Sequence, residues 1–303
     1  MFSQRFAWCT LLAVLACMSI AAGDDKIRVL IVDGQNNHNW KAMTPPMKAD
    51  LERTGRFTVD VATTPDQKAP AAEWDAFRPD FSKYDVVLSN YNGQSWPADV
   101  NKSLEQFVEK GGGLVIIHAA NNAFSDWKAW NEMIGLGWRG PDFGDRVTVN
   151  DKGETERTAK GQGPGAGHGA QHEFVIITRD REHPVTKGMP AEWKHARDEL
   201  YHGQRGPAAN MHILATAYSD PKTGGTGANE PMIWWIPYGK GRVFTTVMGH
   251  VGGPDDPSIR CTGFLTVMER GCEWAATGKV TLPIKSDFPT AEEVRVVPSQ
   301  PKS

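Results

Sequence analysis

Along the chain, short runs of apolar residues alternate with longer amphipathic stretches. Residues 27–32, Ile-Arg-Val-Leu-Ile-Val, form a nearly continuous apolar run that predicts a buried strand, and polar turn residues 33–40 break it. An amphipathic stretch over residues 43–53 predicts a helix, residues 57–61 a second strand and residues 84–89 a third. Pro97 stands where the next helix starts, with Leu104, Phe107 and Val108 on its apolar face. Gly111-Gly112-Gly113 ends that helix, and residues 114–117 predict a fourth strand that stops at His118. Apolar strands separated by amphipathic helices point to an α/β fold with a mainly parallel sheet covered on both faces. Beyond this the rhythm loosens. Residues 150–170 are Gly-rich and polar and read as a long surface loop. Residues 172–178, 211–217, 231–236 and 242–247 read as strands, and residues 262–276 as a closing helix. No internal repeat is visible.

Ahead of the first strand, Arg5 supplies a basic start and residues 11–17 a short apolar core. Ala21 and Gly23 have the small side chains of a cleavage site. This predicts a secretory signal peptide over residues 1–23, too short for a comfortable membrane span, and hence export to the periplasm or the extracellular space. Val14-Leu15-Ala16-Cys17 loosely fits a lipobox, so lipid anchoring through Cys17 is the alternative. One domain over residues 24–285 follows, then a Pro-rich polar tail over 286–303. Of the four cysteines, Cys9 and Cys17 fall in the leader. Cys261 and Cys272 bracket a predicted helix that would hold them about 16 Å apart, beyond disulfide reach. Neither a disulfide framework nor a thiolate zinc site is expected.

Composition narrows the function. The chain has 303 residues, 40% hydrophobic and 23% charged, which excludes a disordered or low-complexity protein. A net charge of −3 with no Lys/Arg block leaves no footprint for nucleic acid or an anionic membrane surface. Eleven tryptophans favour carbohydrate among small-molecule ligands, since Trp serves both as core and as a platform for sugar faces. A homo-oligomer is compatible with all of this.

In a parallel sheet, ligands sit beyond the carboxyl ends of the strands. Four predicted strand ends here carry chemistry: Gln35, Asn36, Asn37, His38 and Trp40; Asn90, Tyr91 and Asn92; His118, Asn121 and Asn122; Gly249 and His250. Any one such histidine is ordinarily a loop hydrogen-bonder, and asparagines commonly fill turns. Three histidines on three strand-end loops exceed what turn composition explains. A second cluster, Asp198-Glu199-Leu200-Tyr201-His202, would place Glu199 and Tyr201 on one face of an extended segment, as a base and a hydroxyl donor; a solvated acidic turn is the alternative. Gly165-Ala166-Gly167-His168-Gly169-Ala170 imitates a dinucleotide fingerprint, but no strand precedes it. His168 and His172 have i,i+4 spacing in a context too Gly-rich for a helix, which leaves a metal role open.

Several segments resemble the ThuA-like (trehalose-utilisation) family in order and spacing. They are residues 111–120, GGGLVIIHAA; residues 183–190, HPVTKGMP; residues 198–201, DELY; residues 239–244, GKGRVF; residues 248–250, MGH; and residues 271–276, GCEWAA. The resemblance runs from about residue 27 to 278. It implies a class I glutamine amidotransferase-like fold, a flavodoxin-like three-layer sandwich. In true amidotransferases the turn after the matching strand carries a Cys nucleophile; here the His118 region occupies it, and thiol-based glutamine hydrolysis is not expected. The family's link to sugar utilisation, including routes through 3-keto sugars, implies proton abstraction next to a ketone with a divalent metal, Zn²⁺ among the candidates, as Lewis acid. On that reading His38, His118 and His250 are metal ligands. Glu199 is the base, with Asp198 and Tyr201 beside it, and Gln35, Asn36, Asn121 and Trp138 contact the sugar. The expected enzyme is a keto-sugar lyase, hydrolase or isomerase. The rival is a non-catalytic carbohydrate-binding domain, and a purely structural or interaction protein is the third reading.

Overall fold

A computed structural model describes residues 26–298; the leader expected over residues 1–23 lies outside the described residues. The first half alternates as the apolar pattern dictates: β1 (Ile27–Asp33), α1 (Trp40–Arg53), β2 (Phe57–Thr63), α2 (Ala71–Ala76), β3 (Val86–Ser89), α3 (Ala98–Glu109) and β4 (Gly113–Ile117). The second half comprises α4 (Lys128–Ile134), β5 (Arg146–Val149), β6 (Thr155–Thr158), β7 (Gly167–His168), β8 (His172–Thr178), β9 (Glu192–Asp198), β10 (Tyr201–His202), β11 (His212–Tyr218), β12 (Asn229–Tyr238), β13 (Gly241–Thr246), α5 (Pro257–Arg260) and α6 (Thr262–Thr277).

One large mixed sheet organises these elements. Its order is β2-β1-β3-β4-β13-β12-β11-β8-β9. The five strands from β2 to β13 are parallel to their neighbours, and from β13 outward the pairs are antiparallel. Successive residues of a strand point to opposite faces, and β1 shows the result. Val29 and Ile31 enter one core with Met43, Met47 and Leu51 of α1 and Phe264 and Met268 of α6. Leu30 and Val32 enter the other core with Val100, Leu104 and Val108 of α3 and Trp130 of α4. Helices therefore cover both faces, and a run of apolar residues without alternation is what such a strand requires. The glycine run before β4 lets α6 lie close: a Cβ on Gly113 would stand 2.6 Å from the Ala275 backbone.

Three expectations need correction. Helix α1 starts at Trp40, before the expected residue 43, with the Asn39 side chain accepting from Ala42 N at 3.1 Å as its N-cap. Residues 150–170 are not a plain loop: β6 closes a hairpin with β5, and β7 pairs with β10 as a separate two-stranded ribbon. Strand β9, absent from the expected elements, forms the sheet's far edge beside β8. The Pro-rich tail is docked as far as the described residues run, with Val297 N bonded to Arg260 O and Thr262 N to Arg295 O. Cys261 and Cys272 are free and buried. Among the described residues no helix is long and apolar enough to cross a membrane.

Candidate active site

At the carboxyl ends of β1, β4 and β13, the chain gathers side chains from positions more than two hundred residues apart. His38 comes from the turn after β1, His118 from the end of β4 and His250 from the loop after β13. Glu199 directly follows β9, and Tyr201 opens β10. The rings of His38 and His118 are 4.8 Å apart, those of His38 and His250 4.9 Å, and those of His118 and His250 6.0 Å. The three expected histidines therefore do meet.

Glu199 is the centre of the group. One carboxylate oxygen lies 3.8 Å from His38 Nε2 and 3.5 Å from His118 Nε2. The other lies 3.5 Å from both His250 Nε2 and His168 Nε2. The surroundings fix which ring nitrogen carries a hydrogen. His118 Nδ1 donates to Val247 O at 2.7 Å, and His168 Nδ1 donates to Gly169 O at 2.7 Å. His250 Nδ1 lies 3.3 Å from Asp256, close enough for an ion pair but off the line of a hydrogen bond. With Nδ1 of His118 and His168 taken as donors, Nε2 of those rings is left to face Glu199, as is Nε2 of His250, which accepts from the Gln171 amide at 3.1 Å; outer hydrogen bonds orient metal-binding histidines in this way. His38, Glu199 and His250 offer ligand atoms all within 4.8 Å of one another.

The electrostatics follow from this crowding. Burial and the neighbouring His118 lower the His38 pKa to about 4, so the ring is neutral at pH 7. Burial also works against a charged His250, but Asp256 and Glu199 outweigh it and raise that pKa. Burial would raise the Glu199 pKa; the surrounding histidines when protonated, His118 foremost, instead bring it to about 2. Burial and the charges of Glu199 and Asp198 push the Tyr201 phenol well above its ordinary value. Tyr201 therefore remains a phenol, and its OH lies 3.1 Å from His118 Nε2 as donor.

His118 itself has φ +45°, directly after a fully buried strand. A non-glycine residue in that region is strained, and such strain gathers at functional sites. Arg139 holds the loop in place, donating to the carbonyls of Asn122 and Ala123.

Other expected site residues lie just behind the cavity. Asp198 is fully buried, and Oδ1 accepts from Glu199 N at 2.6 Å and His250 N at 3.1 Å. Oδ2 accepts from Gly249 N at 2.7 Å and His195 Nε2 at 2.7 Å. It ties the two loops that carry Glu199 and His250. Burial would raise its pKa, and His195 with Gly249 N brings it below the ordinary range. Asn36 braces the His38 turn by accepting from His38 N at 3.0 Å, and Gln35 bonds Pro65 O and Gln94 N. Asn121 is buried against Gln204. The cavity, about 240 Å³, is instead lined by Asn37, Asn122, Trp138 and His168 together with His38, Glu199 and Tyr201. The sequence pattern had singled out His168 only with His172, which points elsewhere and bonds Ala170 O. Gln171, 3.3 Å from Glu199 and 3.1 Å from His250 Nε2, carried no signal.

The profile of the ThuA family, described as trehalose utilisation, matches residues 28–275. This chain belongs to the ThuA family. It is 44% identical to a ThuA-like protein of Parabacteroides merdae, whose crystal structure superposes with a TM-score of 0.85 over 90% of this chain and 98% of that one. A second ThuA-like structure, from Bacteroides uniformis, is 18% identical with a TM-score of 0.53 over 84% of this chain and 93% of that one, and shares the fold. No curated protein matches the chain. The family motifs fall where the site is built: residues 111–120 end β4 at His118, residues 198–201 carry Glu199 and Tyr201, and residues 248–250 carry His250.

Proposed function

We propose that this ThuA-family protein is an exported, metal-assisted enzyme that acts on an oxidised (3-keto) sugar by moving a proton beside the ketone, as a lyase, hydrolase or isomerase. The observation that carries the reading is the convergence of four imidazole Nε2 atoms on the two oxygens of Glu199, 3.5 to 3.8 Å away. A carboxylate faced by imidazole nitrogens calls for a proton or a cation between them, and His38, with its pKa lowered to about 4, brings no proton at pH 7. His38, Glu199 and His250 fit a divalent ion through two histidines and one carboxylate. Bound there, the ion would act as a Lewis acid on a carbonyl oxygen.

This shifts the roles drawn from the sequence. Glu199 serves as a ligand, and His118 pairs with Tyr201 to carry the proton. The Tyr201 hydroxyl donates to His118 Nε2, and Val247 O fixes the ring from behind. Trp138 and the amides of Asn37 and Asn122 supply a stacking face and hydroxyl partners for a sugar. The parallel half of the sheet, in the order 2-1-3-4-5, supports a flavodoxin-like, class I glutamine amidotransferase-like fold. The cysteine-free turn at His118 argues against amidotransferase chemistry. Export rests on residues 1–23 and is tested by whether the secreted protein begins at Asp24.

The deciding experiment is elemental analysis of purified protein, with turnover of a 3-keto-glucoside before and after chelation. One metal per chain and chelator-sensitive turnover, restored by Zn²⁺, support the enzyme. Sugar binding that survives both chelation and His118→Ala supports a non-catalytic binding domain instead.

A further inference from the structure

The Gly-rich segment over residues 159–171 is fastened to the body of the protein at many points. Arg205, fully buried, donates to the carbonyls of Ala159, Gln162 and Pro164. Gly161 N bonds Pro141 O at 2.9 Å, Ala166 N bonds Arg139 O at 2.9 Å and Ala170 N bonds Thr223 O at 2.8 Å. His168 pairs with Tyr201 across the β7–β10 ribbon. The contact is tight enough that Gly203, at φ +63°, would place a Cβ 2.2 Å from Gly165 O. This is a fixed strap over the active site.

The strap sets the shape of the cavity. His168 stands at the rim, its side chain 35% exposed against 12%, 2% and 13% for His38, His118 and His250. Its ring lies 5.8 Å from that of Trp138, and Trp138 packs edge-on to Tyr201 at 4.7 Å. The space left is about 240 Å³, smaller than the ~300 Å³ at which pockets for drug-sized ligands begin. The Trp138 indole and the Tyr201 phenol ring form its aromatic side, with amides, imidazoles and a carboxylate around the rest. An aromatic side and a polar remainder match a single pyranose ring, which has an apolar face and a belt of hydroxyls.

We propose that the site admits one sugar ring, a monosaccharide or its small glycoside, and that His168 and Trp138 form the wall that turns away the second ring of a disaccharide. This rests on the carbohydrate reading given above. The strap cannot yield a second subsite without losing the Arg205 and backbone bonds that hold it.

The test is calorimetric titration of the zinc-loaded protein with methyl 3-keto-α-glucoside and, separately, with 3-keto-trehalose. The wild type is expected to bind the single ring at least tenfold more tightly. In His168→Ala, compared with the wild type at equal zinc occupancy, that preference should shrink at least fivefold. Equal affinities in the wild type, or a preference unchanged in the variant, overturn the single-ring proposal alone. Binding of neither sugar overturns the carbohydrate reading, and this proposal with it.

Discussion

Asp198→Asn is the most informative single change, because one buried carboxylate holds both loops of the site. Each of its oxygens accepts two hydrogen bonds, from Glu199 N and His250 N on one side and from Gly249 N and His195 Nε2 on the other. An asparagine in the same place keeps one oxygen and turns an NH₂ group toward two N–H donors. Two hydrogen bonds to a charged acceptor are lost, at about 1.5–3 kcal/mol each. His195 also loses its counter-charge, and breaking a buried ion pair costs about 3–5 kcal/mol. These overlap, so the expected loss is about 3–5 kcal/mol, set against the ~5–15 kcal/mol of an ordinary domain. Urea denaturation at pH 7 measures it, as a lower midpoint at unchanged slope. A loss below about 1 kcal/mol, with the slope unaltered, would refute the argument that this carboxylate is the junction. Should the variant fail to fold, His195→Gln, which keeps a donor but no charge, carries the same test with a loss of about 1–2 kcal/mol.

Other consequences are as direct. Burial disfavours a charged His195, but the Cys261 sulfur and Asp198 on either side raise its pKa to about 9; its stabilisation is complete below pH 6.5 and fades as pH climbs through about 9, so urea midpoints should fall across that window in the wild type and not in His195→Gln. Metal uptake needs a neutral His250, whose pKa is raised, whereas His38 is already neutral down to about pH 4; affinity should therefore rise about tenfold per pH unit below the His250 pKa and then level off, with one proton released per ion on the rising limb, as titration calorimetry in two buffers reads. Glu199→Gln should lower zinc affinity by at least a hundredfold in a competition assay with a chromophoric chelator, and an unchanged affinity would remove Glu199 from the ligand set. Arg205→Ala should release the strap, seen as faster amide exchange over residues 159–171 with β1 and β4 unaffected.

The parallel half of the fold is legible because its strands are buried on both faces and so appear as unbroken apolar runs, Leu114-Val115-Ile116-Ile117 being the clearest. Strand β9 hides from that reading: Glu192-Trp193-Lys194-His195-Ala196-Arg197-Asp198 carries charged residues at most positions, yet His195 and Asp198 are buried because they satisfy each other. The β5–β6 hairpin hides for a different reason, since Thr155-Glu156-Arg157-Thr158 is almost wholly exposed and has no apolar face to show. In the site, His38, His118 and His250 could be found because each follows a strand. His168 could not, because it is placed by pairing with β10 and by Arg205, contacts that leave no periodic trace in a glycine-rich stretch. Asn36 and Asn121 stood in the right turns, but Asn37 and Asn122, one residue on, face the cavity.

The side chains around Glu199 come from five separate stretches between His38 and His250. No excised half of the molecule retains the set, so titrating the cluster reports on the integrity of nearly the entire polypeptide. A cation held by His38, Glu199 and His250 would clip the first turn of the sheet to its last parallel strand, closing a loop of about two hundred residues without a covalent bond. Heat resistance in this protein would then scale with the free-ion concentration of its surroundings.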